Sequence, residues 1–322
     1  MNKVVVKTGI FVAALLLILA CDKRSKVEQE ISKKPLTLKV SRFDKAFFES
    51  TPQELPKLKA AYPYFFPADT EDAIWLDKMQ NPMWRELYGE VQKKFGNFQK
   101  EQTEITDLVK HMQHYFPETK TPKVITIISE MDYHNKVIYT DTLLLISLEL
   151  YLGKSHRFYE FPKYISQNFE PQQIMPDLVS AFAFRKILPP KDASFLSQLV
   201  YAGKELYLKD LLLPSYSDAD KMGYMPEQIN WCAENESYIW RYFIDKKMLY
   251  STDQKLASRF INPAPFSKFY LEIDNESPGR VGAWVGWQIV RAFMENNKVS
   301  VQDLLVADAK TIFEQSHYKP KK

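Results

Sequence analysis

Cysteine is nearly absent from this 322-residue chain, which has only Cys21 and Cys232. A framework of several disulfides is therefore excluded, even in an oxidising compartment. Glycine is also scarce, at nine residues, and histidine stands only at His111, His114, His134, His156 and His317. Several catalytic signatures are missing: there is no Gly-x-Ser-x-Gly elbow, no Walker loop and no Cys-x-x-Cys pair. The spacing Gly279-x-x-Gly282-x-x-x-Gly286 is not the dinucleotide fingerprint, and a turn precedes it rather than a strand of a βαβ unit. His111 and His114 share a helical face, but no third ligand stands near them. No small-molecule cofactor or metal is expected. No fixed-period repeat and no low-complexity tract appears.

The N-terminus carries the first positive signal. Lys3 and Lys7 precede an apolar run of twelve residues from Gly9 to Ala20. Such a run is short of the ~20 residues that a bilayer-spanning helix needs, and it reads as the core of a signal peptide over residues 1–20. Ile18-Leu19-Ala20-Cys21 resembles a bacterial lipoprotein cleavage box, which makes Cys21 the expected lipidation site and acyl chains such as palmitate the anchor. The alternative is an ordinary secretory signal in which Cys21 is incidental. Without residues 1–20 the charge is 41 basic against 40 acidic, a near-neutral balance with no electrostatic footprint for nucleic acid. Cys232 is then the last cysteine, expected as a small buried apolar residue.

Residues 21–40 are polar and charged, and read as a structureless linker. A single globular domain is expected over 41–322. Hydrophobic spacing predicts helices near 69–79, 83–98, 101–116, 171–187, 191–209, 226–249, 252–260, 278–296 and 301–314. The β signal is confined to 123–150: the β-branched run Lys123–Ser129, then Val137–Thr140 and Leu143–Leu150. The fold class expected is α+β, mostly α-helical, with a small central sheet of about three or four strands. His317 to Lys322 reads as a solvated tail.

The stretch from Asn262 to Phe293 organises the C-terminal half. Ser277-Pro278 is expected to open its helix, with Ser277 as cap and Pro278 at the first position. Glycine in a helix interior costs about 1 kcal/mol against alanine, so Gly282 and Gly286 imply a neighbour too close for a Cβ. The capped helix start beside Arg280 also suits an anion. Two charges fall on apolar stripes: Arg185 in the helix 171–187, and Glu236 in the helix 226–249. Either they meet in the core, with Arg280 nearby, or each reaches solvent from the edge of its stripe. Arg185, Glu236, Ser277 and Arg280 are the candidate cleft residues.

The segments YAGKELYLKDLLLP (201–214), GYMPEQINWCAENESYIWRYFIDKKMLYST (223–252) and RFINPAPFSKFYLEIDNESPGRVGAWVGWQIVRAFM (259–294), with the closing FEQSHYKPKK (313–322), resemble the gliding-motility lipoprotein GldB family. The resemblance implies a lipid-anchored, non-catalytic component or assembly factor of the gliding machinery, bound up with type IX secretion. Its partners would be the membrane and other envelope proteins. No cluster of acids of the kind expected for surface export follows Cys21, so the domain is expected to face the periplasm. The order of elements is also similar to zincin-type zinc peptidases, implying a degenerate zincin-like fold. The helix that would carry His-Glu-x-x-His reads Ala181-Phe182-Ala183-Phe184-Arg185 instead, so a zinc site of that kind cannot be assembled. A peptide or cell-wall hydrolase and a small-ligand-binding module are the competing readings.

Overall fold

The computed structural model describes residues 26–321, so the expected signal peptide and the expected lipidation site Cys21 lie outside the described residues. The chain divides into two units, Met1–Leu36 and Thr37–Lys322. In the first, helix α1 (Lys26–Ser32) stands where the linker was expected to be structureless. Its Lys, Glu and Gln residues lose little rotamer freedom in a helix, and Glu28 sits favourably in the first turn.

The second unit opens with strand β1 (Val40–Arg42), so the globular part begins before residue 41. Helices α2 (Phe43–Glu49), α3 (Leu55–Ala61), α4 (Asp72–Gln80), α5 (Pro82–Phe95) and α6 (Gln99–Tyr115) follow. In α6 the buried residues Ile105, Leu108, Val109 and Met112 repeat at helical spacing. Strands β2 (Lys123–Ile127), β3 (Val137–Tyr139) and β4 (Leu143–Ser147) complete a four-stranded sheet of order β1-β2-β4-β3. β1, β2 and β4 are parallel, in a register pairing Val40 with Val124 and Val124 with Leu144, while β3 runs antiparallel to β4. Val124, Ile125, Leu144 and Ile146 are fully buried, as expected of parallel strands covered by crossover helices. The mostly helical α+β expectation holds, and β1 supplies the fourth strand from outside 123–150.

The strand expected to reach Leu150 ends at Ser147, and a 3₁₀ turn follows over Leu148–Tyr151. Within it Glu149 is fully buried. Ser129 donates to Glu149 Oε1 from its N–H at 2.9 Å and from its hydroxyl at 2.5 Å, while Oε2 has no partner. Burial pushes this carboxyl up to about 7, against the lowering effect of Ser129. The native fold therefore keeps a proton that the unfolded chain releases near pH 4.3. The contribution of Glu149 to stability is greatest in acid and falls as pH rises from about 4 to 7, by on the order of 3 kcal/mol. Glu149→Gln keeps the acceptor and removes the titration. Urea unfolding should find this variant close to wild type at pH 4 and more stable at pH 8. A constant difference between the two at both pH values would refute this account of Glu149.

The C-terminal half is helical: α7 (Lys163–Ser166), α8 (Ile174–Lys186), α9 (Phe195–Leu212), α10 (Asp218–Met222), α11 (Pro226–Glu234), α12 (Glu236–Asp245), α13 (Lys255–Phe260), α14 (Val281–Asn296), α15 (Val301–Val306) and α16 (Ala309–Ser316). Two expected helices are each split. Asn235 divides 226–249 into α11 and α12. Asp308 restarts the chain as the N-cap of α16, accepting from Thr311 N. The core of this half is aromatic: Phe195 and Phe260 both meet Phe243 edge-on, at centroid distances of 5.1 Å each. α9 and α14 form its central seam. A Cβ on Gly286 would stand 2.5 Å from the Leu199 carbonyl carbon, and one on Gly203 2.8 Å from Trp287 N. The close approach read from these glycines is therefore present.

One ion network ties α9, α10 and α14 together. Arg291 donates to both oxygens of Asp210 at 2.7 Å and to both of Asp218 at 2.8 Å. Trp287 Nε1 and Lys221 Nζ also reach Asp210, at 2.8 and 3.0 Å.

Candidate functional site

Two cavities of about 460 and 450 Å³ adjoin in the second unit, sharing Asn168, Asp177, Gly223, Pro263 and Arg280 as lining residues. Together they form a trough of the size that holds an extended ligand. α8 contributes Asp177 and Ser180 to it, and α9 contributes Tyr201, Glu205 and Lys209. Lys136, just before β3, lines the other end.

The backbone around Arg280 is held on several sides. A Cβ on Gly279 would come 2.9 Å from the Ala264 carbonyl carbon, so glycine lets the Pro263-Ala264 segment close over this position. Tyr224 OH donates to the Gly279 carbonyl, and Arg280 Nη1 donates to Met222 O at 2.8 Å. Arg280 itself is left-handed, with φ 67° and ψ 21°. For a residue with a long side chain that is a strained conformation, and it persists only where the surroundings impose it.

The trough's other charges pair with each other. Lys136 Nζ lies 2.5 Å from Asp177 Oδ2, which also accepts from Tyr151 OH at 2.8 Å. Lys209 lies 3.3 Å from Glu205 Oε1, to which Ser180 donates at 2.7 Å. Burial pushes the Glu205 carboxyl up, but Lys209, Ser180 and Arg280 together outweigh it and hold the group below the usual range. Burial, with the like charge of Arg280, lowers Lys209 against the pull of Glu205 and Asp177. The two groups interact tightly, each favouring the charged form of the other. Among the described residues, no three His, Cys, Asp or Glu side chains come together as metal ligands.

Of the four residues singled out from sequence, only Arg280 lines the trough. Arg185 and Glu236 are not partners. Arg185 lies in the last turn of α8 with its side chain 48% exposed, 3.8 Å from Asp141. A cation at a helix C-terminus is favourable there, so this charge reaches solvent from the stripe's edge. Glu236 is 4% exposed and accepts from Tyr318 OH at 2.7 Å. The break at Asn235 makes it the first residue of α12 instead of a mid-helix intruder. The closing segment is accordingly not all solvated, since Tyr318 also meets Trp240 edge-on at 5.1 Å. Ser277 is buried but caps no α-helix: it donates to Asp274 O at 2.8 Å and accepts from Ser267 N at 3.2 Å. α14 starts at Val281, and Ser267 Oγ accepts from Val281 N at 3.3 Å. Cys232 is fully buried, as expected, and burial raises its thiol.

Sequence reasoning missed Asp177, Glu205, Lys209 and Lys136. Two of them carried a readable signal: Glu205 and Lys209 stand four apart within the apolar pattern of α9, as an ion pair on one face would.

The sequence profile of the family described as gliding motility protein GldB matches residues 24–320. No curated protein and no solved structure matches the chain, so no known structure supports the zincin-like expectation. No helix among the described residues is long and apolar enough to cross a membrane.

Proposed function

We propose, since this chain belongs to the gliding motility protein GldB family, that it is a lipid-anchored, non-catalytic component or assembly factor of the gliding machinery that holds a polypeptide in its trough. Cys21 would carry the anchor, the domain would face the periplasm, and the partners would be envelope proteins of the gliding and type IX secretion apparatus. One observation carries the non-catalytic part: the trough's carboxylates are engaged by its own lysines, Asp177 with Lys136 and Glu205 with Lys209. A general base has to be free to take a substrate proton, and each of these is engaged by a neighbouring lysine.

Gliding cells lacking the gene are the test. The full chain should restore spreading, and Cys21→Ala should not. A photo-crosslinker in place of Tyr201, on the trough wall, should trap an envelope protein. The same group in place of Lys310, which lines neither cavity, should not. Restored gliding with Cys21→Ala would overturn the anchor, and equal trapping from both positions would overturn the trough as the binding surface. Peptide or cell-wall hydrolysis by the purified chain, abolished by a chelator, would replace the reading with the hydrolase.

A further inference from the structure

The geometry points to a more specific ligand: a polypeptide that places a carboxylate on Arg280. This rests on the polypeptide-holding role proposed above and narrows it. Lys136 is satisfied by Asp177 and Lys209 by Glu205, whereas Arg280 feels the charge of Glu205 but makes no direct ion pair with a carboxylate among the described residues. Its one side-chain hydrogen bond takes a single N–H to Met222 O. A guanidinium has five N–H donors in a planar fork that matches a carboxylate in bidentate fashion, so most of this fork remains available. Arg280 lines both cavities and therefore sits at their junction. The strained left-handed backbone and the Tyr224 and Met222 contacts fix the side chain's origin there. Pre-organisation of this kind lowers the ordering cost of binding.

The walls suit the rest of such a ligand. Asn168, at the junction, and Asn262, beside it, carry carboxamides that can both donate to and accept from a peptide backbone. Tyr164 lines one cavity and Tyr201 the other, adding aromatic surface to the trough. A lysine at position 280 would give a point charge without the fork. A chain terminus and an Asp or Glu side chain present the same carboxylate chemistry to Arg280.

The full chain, purified in detergent and immobilised, separates these cases. The probe is a pool of random decapeptides, half made as free acids and half as C-terminal amides, with retained peptides identified by mass spectrometry. Expected is about tenfold enrichment of free acids if a terminus binds, or of Asp- and Glu-containing amides if a side chain binds. Arg280→Gln should abolish that enrichment, and Arg280→Lys should restore only part of it. Retention without preference for acids or acidic side chains would overturn the carboxylate assignment while leaving polypeptide binding intact. Retention of no peptide from either half would overturn both. The acid-to-amide comparison in the wild-type chain decides the matter even if an Arg280 variant folds poorly.

Discussion

Replacing Gly286 by alanine is expected to destabilise the protein by more than the roughly 1–3 kcal/mol usual for an overpacked core. The new Cβ would point at the carbonyl of Leu199, with the carbonyl carbon 2.5 Å away, and that obstacle is backbone inside α9. No rotamer change can relieve it, so the helices must separate. They meet glycine on glycine, because a Cβ on Gly203 would run into the carbonyl of Gly286. Separation would also loosen Trp287, Phe195 and Leu199, all fully buried along this seam. Alanine's better helix propensity, about 1 kcal/mol over glycine, offsets only part of the loss. Gly89 supplies the control: in α5 a Cβ there would meet nothing within 4 Å. Gly89→Ala should be neutral or stabilising by up to about 1 kcal/mol. Chemical denaturation of both variants reads the contrast. If Gly286→Ala unfolds at the wild-type midpoint, α9 and α14 are not in backbone contact. Because Arg280 is the N-cap of α14, the same variant should also lose discrimination between acid and amide peptides.

The helices that were legible in the sequence are those whose apolar spacing runs unbroken, such as α6 with Ile105, Leu108, Val109 and Met112. β2 was legible because its β-branched run is confined between turn signals. β1 was not, since three residues are too few to display a period; it exists because Val124 to Thr126 offers it a parallel partner. Periodicity also takes a helix to be continuous, and that assumption produced the expected Arg185–Glu236 pair. Once the chain breaks at Asn235, Glu236 turns toward Tyr318. The start of α14 was misplaced for a related reason. Ser277-Pro278 has the composition of a helix start, but Ser277 is used by the preceding turn, and the first N–H of α14 goes to the distant Ser267. Close packing at Gly282 and Gly286 was legible because a helical glycine has a cost that needs a reason. The trough was legible only at Arg280, since its remaining charges come from α8, α9 and the approach to β3, and tertiary folding alone brings these together.

Arg291→Ala should be among the more damaging single changes outside the glycine seam, at about 2–3 kcal/mol. That is below the roughly 3–5 kcal/mol for breaking a fully buried ion pair from one side, because the Arg291 and Asp218 side chains are 29% and 42% exposed and solvent screens them. The guanidinium satisfies two carboxylates at once, Asp210 and Asp218, through four hydrogen bonds of 2.7–2.8 Å. It also lies over the Trp287 ring, 3.6 Å from the centroid, so the loss includes packing as well as charge. Without it Asp210 keeps Lys221 and Trp287 Nε1, whereas Asp218 loses its main partner. Lysine should rescue poorly, because one ammonium cannot present parallel donors to two carboxylates. Combining Arg291→Ala with Asp210→Asn should cost clearly less than the sum of the two single losses, since each already dissolves the same network. The acid limb gives a second readout. Asp218 is held below the usual range, first by its hydrogen bonds to Arg291 and against burial. Its contribution is thus present above the unfolded pKa, near 3.9, and is lost as pH falls through the lower native value. In Arg291→Ala that loss should largely vanish, so wild type and variant should converge in stability as the solution becomes more acidic. Strictly additive losses together with parallel acid limbs would mean that Arg291 stabilises the seam by packing alone, and that its two carboxylates are incidental neighbours.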